Sequence, residues 1–377
     1  MGLEVFIMKI FINDVAVKSN SGGVYTVLKG VYDYAKEDIY NDYVFLLGSN
    51  LFQRTDNIKI IVRPELQTNY LKRTLFDLGF ENNLIYDENP DVYFSLQNTA
   101  KLHLKKIPQF TYLHQPLPFQ KEKKFSFFKR NERKLAFYQY IVGFIIKVSI
   151  KRSNTKVIVQ SRWLKQILND KNIALSKNVL VSVPKVDDSL NISYYPQNSD
   201  DQISFFYPST AMLYKNHILV AEAIKYLTDD VRSKIKILFT LTESEFKNLT
   251  GINIIPKEII LLGRVSKDEV QDLLKKSILL FPSFIETYGL PILEAKQLGR
   301  PMLVSNVEVL QESVGPYDQV RYFNPFSVKE LVSVINDTVN SRQLIQDTFT
   351  NEKVSTTHNL DNLLELIKAE VNDEPEN

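Results

Sequence analysis

Two runs of short apolar segments, each alternating with stretches of helical spacing and divided by one polar tract, constrain this chain most strongly. In the first run Lys9–Ile12 reads as a buried strand. A polar loop follows (KSNSGG, 18–23), and Val24–Ala35 then carries apolar residues at helical spacing. Further strands are predicted at Tyr43–Leu47, Ile58–Val62, Val92–Ser95, Phe110–His114 and Lys156–Gln160. The tract 183–202 (VPKVDDSLNISYYPQNSDDQ) is polar and turn-rich, and marks a domain boundary. A second run then predicts strands at Ile203–Tyr207, Ile235–Phe239, Glu258–Leu262, Ile278–Phe281 and Met302–Ser305. Helices are predicted at His217–Leu227, Lys267–Leu274 and Pro291–Leu298. Strands that alternate with helices build a mostly parallel sheet covered on both faces. The reading is therefore α/β: a Rossmann-like domain over 1–190, a second over 200–350, and a helix and tail over 351–377 that return to the first. The acidic end after Glu370 is expected to fray. Two open α/β domains in tandem are expected to face across a cleft, with a ligand outside the carboxyl ends of the strands.

Composition removes several function classes. The chain has no cysteine, which excludes disulfides, thiolate metal sites and cysteine nucleophiles, and fits a reducing compartment. The four histidines, His103, His114, His217 and His358, show no metal-ligand spacing. A net charge of +2 gives no nucleic-acid signal. The first residues lack the features of a signal peptide, and no stretch reaches about 18 uncharged apolar residues. The expected location is cytoplasmic.

The densest chemistry lies at 281–301 (FPSFIETYGLPILEAKQLGRP). An apolar strand runs into a loop. Pro291 suits the first helical position and Gly299 the position just past the end. Gly289 and Leu290 then lie at a helix N-terminus, where free N–H groups and the dipole attract an anion. Glu294 is expected in the first turn, where the dipole favours its ionised form. Glu286 sits in the preceding loop. Taken singly, each glutamate reads equally well as a surface charge. Together at an anion site they suit sugar hydroxyls, since a carboxylate accepts from two of them.

This string resembles the Glu-x7-Glu motif of the retaining GT-B glycosyltransferases of glycosyltransferase family 4. Leu261-Leu-Gly-Arg264, Pro282-Ser283, Leu310-Gln-Glu-Ser-Val-Gly315 and Asn324-Pro325 fall where that family has similar residues. The resemblance covers nearly the whole chain and is strongest from 203 to 325. It implies that Glu286 touches the hydroxyls of the transferred sugar, that Glu294 holds the ribose, and that the backbone of Thr287, Tyr288, Gly289 and Leu290 meets the diphosphate and sugar. The family commonly has glycine where Thr287 stands, which would reshape the sugar pocket.

Lys215, in the Lys-Asn-His string 215–217, precedes a predicted helix at the carboxyl edge of the sheet. A cation there can neutralise a departing diphosphate, and by resemblance this lysine binds it. Many members of the family have an arginine where Thr210 stands, so Lys215 acts alone or Arg264 supplies the second charge. The chain has no Asp-x-Asp pair, which fits transfer without a metal or other cofactor. In the first domain, Gly22-Gly23 reads as a tight turn before a helix; the resemblance turns it toward diphosphate and acceptor. His114 ends a predicted strand, and the resemblance makes it a donor-sugar contact. Gln97 and Asn98 are candidates for the acceptor side.

Residues 121–152 hold ten Lys or Arg against two Glu, interleaved with aromatic residues. This is either a core helix with a solvated basic flank or an amphipathic element lying on an anionic membrane surface. The implied activity is retaining hexosyl or deoxyhexosyl transfer from a nucleotide-diphosphate sugar to a saccharide or lipid-linked acceptor. The expected setting is bacterial surface polysaccharide synthesis (capsule or O-antigen) at the inner face of the plasma membrane. The competing readings are a nucleotide-sugar epimerase on the same scaffold and a non-catalytic sugar-binding subunit of a polysaccharide assembly complex.

Overall fold

The computed structural model describes residues 7–19, 22–184, 202–341 and 363–372. Residues 185–201, which make up most of the predicted boundary tract, lie outside the described residues. So do 342–362, with His358, and the acidic end 373–377. The chain forms two compact units. One comprises Met1–Phe119, Phe125–Val183 and Thr357–Asn377; the other comprises Gln120–Lys124 and Pro184–Thr356.

The first unit is built on β1 (Lys9–Asp14), β2 (Asp42–Leu47), β3 (Ile58–Val62), β4 (Val92–Ser95), β5 (Gln109–Leu113), β6 (Thr155–Val159) and β7 (Val179–Val181). Its sheet runs in the order β3-β2-β1-β4-β5-β6-β7, with every neighbouring pair parallel. Ile10 and Ile12 of β1 join one apolar cluster, and Phe11 between them joins the other. Both faces are covered, which is why the strand is continuously apolar rather than alternating. The helix Leu363–Asn372 belongs to this unit: Leu364 and Ile367 are fully buried in the cluster that holds Ile10 and Leu28. Lys368 Nζ donates to Tyr34 Oη at 2.7 Å and Asp38 Oδ2 at 2.8 Å, and Lys156 pairs with Glu370 at 2.7 Å.

The second unit holds β8 (Ile203–Tyr207), β9 (Ile235–Phe239), β10 (Ile259–Leu261), β11 (Ile278–Phe281), β12 (Met302–Ser305) and β13 (Val320–Phe323), again all parallel, in the order β10-β9-β8-β11-β12-β13. Capping boxes start two of its helices. Thr242 and Glu245 satisfy each other's backbone at Glu243–Thr250, and Ser266 and Glu269 do the same at Lys267–Lys275. In each sheet the first strand is central and the chain then winds outward in both directions. The strand order therefore reverses between β1 and β4 in the first unit, and between β8 and β11 in the second. Outside the carboxyl ends of such a pair, two loops diverge and leave a crevice.

Candidate active site

The crevice of the second unit brings together the loop after β8 and the loop after β11. Phe284 N donates to the Tyr214 carbonyl at 3.1 Å, and Ser283 Oγ donates to the same oxygen at 3.2 Å. Asn216 is buried in the left-handed conformation (φ 64°), and its side-chain amide donates to the carbonyls of Pro282 at 3.2 Å and Pro325 at 2.8 Å. Three loops are thus fastened at one point. Asn tolerates that backbone geometry better than most residues. The consequence is a close ion pair: Lys215 Nζ lies 2.6 Å from Glu286 Oε1, with the two side chains 17% and 12% exposed. The sequence placed both residues in the site but assigned Asn216 no role. The Lys-Asn-His string was its only signal.

His217 opens the helix His217–Ile224 behind Lys215. Its Nε2 lies 2.9 Å from Ser209 Oγ, and its ring packs against Tyr207 and Phe239. Burial first, and the Lys215 charge second, push its pKa down to about 3. The ring is a neutral packing element.

Gly289 caps the helix Leu290–Gln297 with φ 93°. The left-handed backbone favours glycine, and a Cβ there would fit tightly, 3.3 Å from both Ile292 Cδ1 and Leu310 Cδ2. Leu290 is the first helical residue and Pro291 the second, one position later than the sequence spacing predicts. Ile292 N is already bonded to the Gly289 carbonyl, so the open donors of this terminus are at Gly289 and Leu290. Ser313 Oγ donates to the Tyr288 carbonyl and holds the loop from behind.

Glu294 departs from its predicted place. No acidic residue lies in the first turn of this helix, and Glu294 sits one turn deeper, part-buried. The helix dipole acts mainly over the first turn, and burial instead raises the pKa of its carboxyl, with Lys267 opposing. Arg264 is exposed and paired with Glu245, the residue that also caps its helix.

The crevice of the first unit is lined differently. Gly22 caps the helix Gly23–Glu37 with φ 59°, and no acidic side chain occupies the first turn. Open space surrounds the Cα atoms of both Gly22 and Gly23. His114 stands just past β5, not within it. Its backbone N donates to Asn98 Oδ1 at 2.8 Å, and the Asn98 amide lies 3.4 Å from His114 Nε2. The residue is part-exposed, but Nδ1 is sealed from solvent and has no partner among the described residues; burial pushes the pKa down to about 4. Gln97 donates to Asn13 Oδ1 at 2.9 Å. Among the described residues, no group of three or more His, Asp or Glu side chains is placed to hold a metal ion.

Residues 195–354 match the family model described as glycosyl transferases group 1. The matched segment contains Lys215, Arg264 and the whole of 286–294, while His114 and Gly22-Gly23 lie outside it. Among curated proteins, none matches the chain significantly. Solved structures match it along most of its length. The chain is similar to WaaG, a glycosyltransferase involved in lipopolysaccharide biosynthesis, at 12% identity and a TM-score of 0.67, over 89% of this chain and 91% of that one. It is similar to Anabaena Alr3699/HepE in complex with UDP and glucose at 15% identity and a TM-score of 0.59, over 89% and 91%. It is similar to a glycosyltransferase from Rickettsia africae ESF-5 at 16% identity and a TM-score of 0.60, over 88% and 87%. These likenesses show the fold, two Rossmann-like α/β units of the GT-B kind.

Proposed function

We propose that this chain is a retaining glycosyltransferase of family 4 that moves a hexose or deoxyhexose from a nucleotide-diphosphate sugar, without a metal ion, to a saccharide or lipid-linked acceptor. The observation that carries the reading is the Lys215–Glu286 pair at the strand-order reversal of the second unit, beside the open helix start at Gly289. Lys215 and the N–H groups of Gly289 and Leu290 neutralise the diphosphate as its bond to the anomeric carbon breaks. This requires Lys215 to exchange Glu286 for phosphate when the donor binds, and the freed carboxylate then accepts from the sugar hydroxyls. Thr287 and Tyr288 line the same loop, and Glu294 takes the ribose hydroxyls. The acceptor oxygen bonds to the anomeric carbon on the face the diphosphate leaves, and the acceptor proton passes to a leaving phosphate oxygen. His114 is assigned to the donor sugar, Gly22-Gly23 to the diphosphate and acceptor, and Arg264 to a second cationic role; these three rest on resemblance. The similarity to WaaG, a glycosyltransferase involved in lipopolysaccharide biosynthesis, supports a setting in bacterial surface polysaccharide synthesis, and the similarity to HepE in complex with UDP and glucose supports a nucleotide-sugar donor; the setting assigned is the cytoplasmic side of the membrane.

A panel of UDP-, GDP- and dTDP-sugars tested for thermal stabilisation checks the reading. The cognate donor at about 100 times its Kd adds about 2.7 kcal/mol. No shift with any nucleotide-sugar overturns the proposal, and donor turnover without any acceptor favours epimerisation.

A further inference from the structure

The basic aromatic segment of the first unit folds as the helix Arg133–Phe137, a π-helical turn Tyr138–Val142 and the helix Gly143–Arg152. Its inner face is buried through Ala136, Gln139, Val142, Ile146 and Ile150. Gly143 lets it press against Pro118, where a Cβ would come within 2.6 Å of the proline ring. The opposite face is apolar as well. Phe137, Tyr140, Ile141 and Phe144 stand there 41% to 67% exposed. Phe127 packs on Tyr140 at 5.9 Å, and Phe128 beside it is 94% exposed. Tyr70 of the helix Tyr70–Asp77 meets Phe137 at 6.2 Å, which carries the stripe onto a second helix where Leu71 is 67% exposed.

Cations bracket this stripe. Arg133 and Lys134 are exposed before it, and Lys151 and Arg152 after it. Between 125 and 152 there are seven Lys or Arg and one acid, Glu132. That acid is buried and accepts from Ser126 N. A contiguous exposed apolar patch of this kind marks an interaction surface. A second copy of the same face would bring like charges together. An apolar strip flanked by cations fits the boundary of an anionic bilayer, where rings sink below the headgroups and Lys and Arg stay at them.

We propose that this face docks the protein on an anionic lipid surface, with Phe128, Phe137, Phe144 and Leu71 inserted and Arg133, Lys134, Lys151 and Arg152 at the headgroups. It stands apart from the glycosyl-transfer reading, because none of these residues belongs to the candidate site. The helices lie along the surface, and no helix among the described residues is long and apolar enough to cross a membrane.

The test is flotation of the full chain with vesicles of phosphatidylcholine alone and of phosphatidylcholine with about one quarter phosphatidylglycerol. The wild type floats with the anionic vesicles only, and less at high salt. Replacing Phe128, Phe137 and Phe144 by Ser, or Arg133, Lys134, Lys151 and Arg152 by Glu, lowers the bound fraction at least tenfold, while Ile254→Ser, on an exposed site of the other unit, binds as wild type. In a separate Phe144→Trp variant the added indole emission shifts to the blue on anionic vesicles; this readout leaves the rest of the face intact. No flotation of the wild type, wild-type flotation by both multiple variants, or an unshifted indole overturns the proposal. So does light scattering that shows a dimer broken by the Ser variant while flotation persists.

Discussion

Lys215 and Glu286 meet at 2.6 Å although 71 positions separate them, because they follow the two strands, β8 and β11, between which the sheet order reverses. Asn216 and Ser283 tie their loops together, so the distance is set by backbone contacts rather than by two long side chains finding each other. Such a pair is preorganised: on the proposed reading, a diphosphate would meet a lysine already held in place and release a carboxylate already beside it. That is the kind of electrostatic arrangement that lowers a barrier without reorganisation at the moment of reaction.

The pair can be separated into its structural and chemical parts. Lys215→Met and Glu286→Gln should each lower transfer by about 10²–10³. Each should also destabilise the protein by about 1–3 kcal/mol, below the range for fully buried pairs because both side chains keep some solvent. The double variant should recover part of the stability and none of the activity. Urea unfolding together with product formation distinguishes the two. A double variant that transfers at near wild-type rate removes Lys215 and Glu286 from the chemistry.

Glu294 offers the opposite balance. Burial raises the pKa of its carboxyl, so the folded state penalises the ionised form that neutral solution favours. Glu294→Gln should therefore stabilise the protein slightly at pH 7, by less than about 1 kcal/mol. The same change should weaken nucleotide binding about tenfold, since a carboxylate accepts from two hydroxyls and an amide pairs less well. A melting curve and a nucleotide titration give both numbers. Unchanged nucleotide affinity would falsify the ribose assignment.

Acid should act through two histidines, the buried His217 and the part-exposed His114 with its sealed Nδ1. His114 is held down to about pKa 4 and His217 to about 3, both chiefly by burial. The unfolded chain takes up these protons near pH 6.5, so it binds more protons than the native state below that value. Stability is full above about pH 6.5 and falls as the pH drops toward 4, at up to about 1.4 kcal/mol per pH unit for each histidine. Denaturant unfolding at pH 7.5, 6.5 and 5.5 measures the slope, and His114→Asn should remove about half of it. A flat profile over that window contradicts the lowered proton affinity of both rings.

Much of the fold was legible locally. Ile58–Val62, Val92–Ser95, Ile203–Tyr207, Ile235–Phe239, Ile278–Phe281 and Met302–Ser305 have the predicted bounds; the last five are buried on nearly every residue, while Ile58–Val62, an edge strand, is buried only at Ile58 and Ile60 but is β-branched at four of its five positions. Two strands escaped, Val179–Val181 and Val320–Phe323. Both are edge strands with one partner each and mostly half-buried side chains, so neither shows an apolar run or a clean alternation. The helix start near Gly289 was readable, because Pro291 suits the first helical turn and Gly289 stands two positions before it. Its exact first residue was not, since Pro suits either of the first two positions, and that one-residue slip is part of why Glu294 sits a turn deeper.

The sequence by itself determined which residues could serve: a glycine at the start of a predicted helix, carboxylates eight positions apart, and a lysine just before a second predicted helix. These are properties of single residues and of spacing along one chain segment. Tertiary structure decided their partners. It set Lys215 on Glu286, drew Arg264 to Glu245, removed Glu294 from the dipole into a part-buried site, and brought Leu364 and Ile367 back into the core that begins at Ile10. Charge pairing and burial depend on distances through space, and only strand order and loop closure fix those.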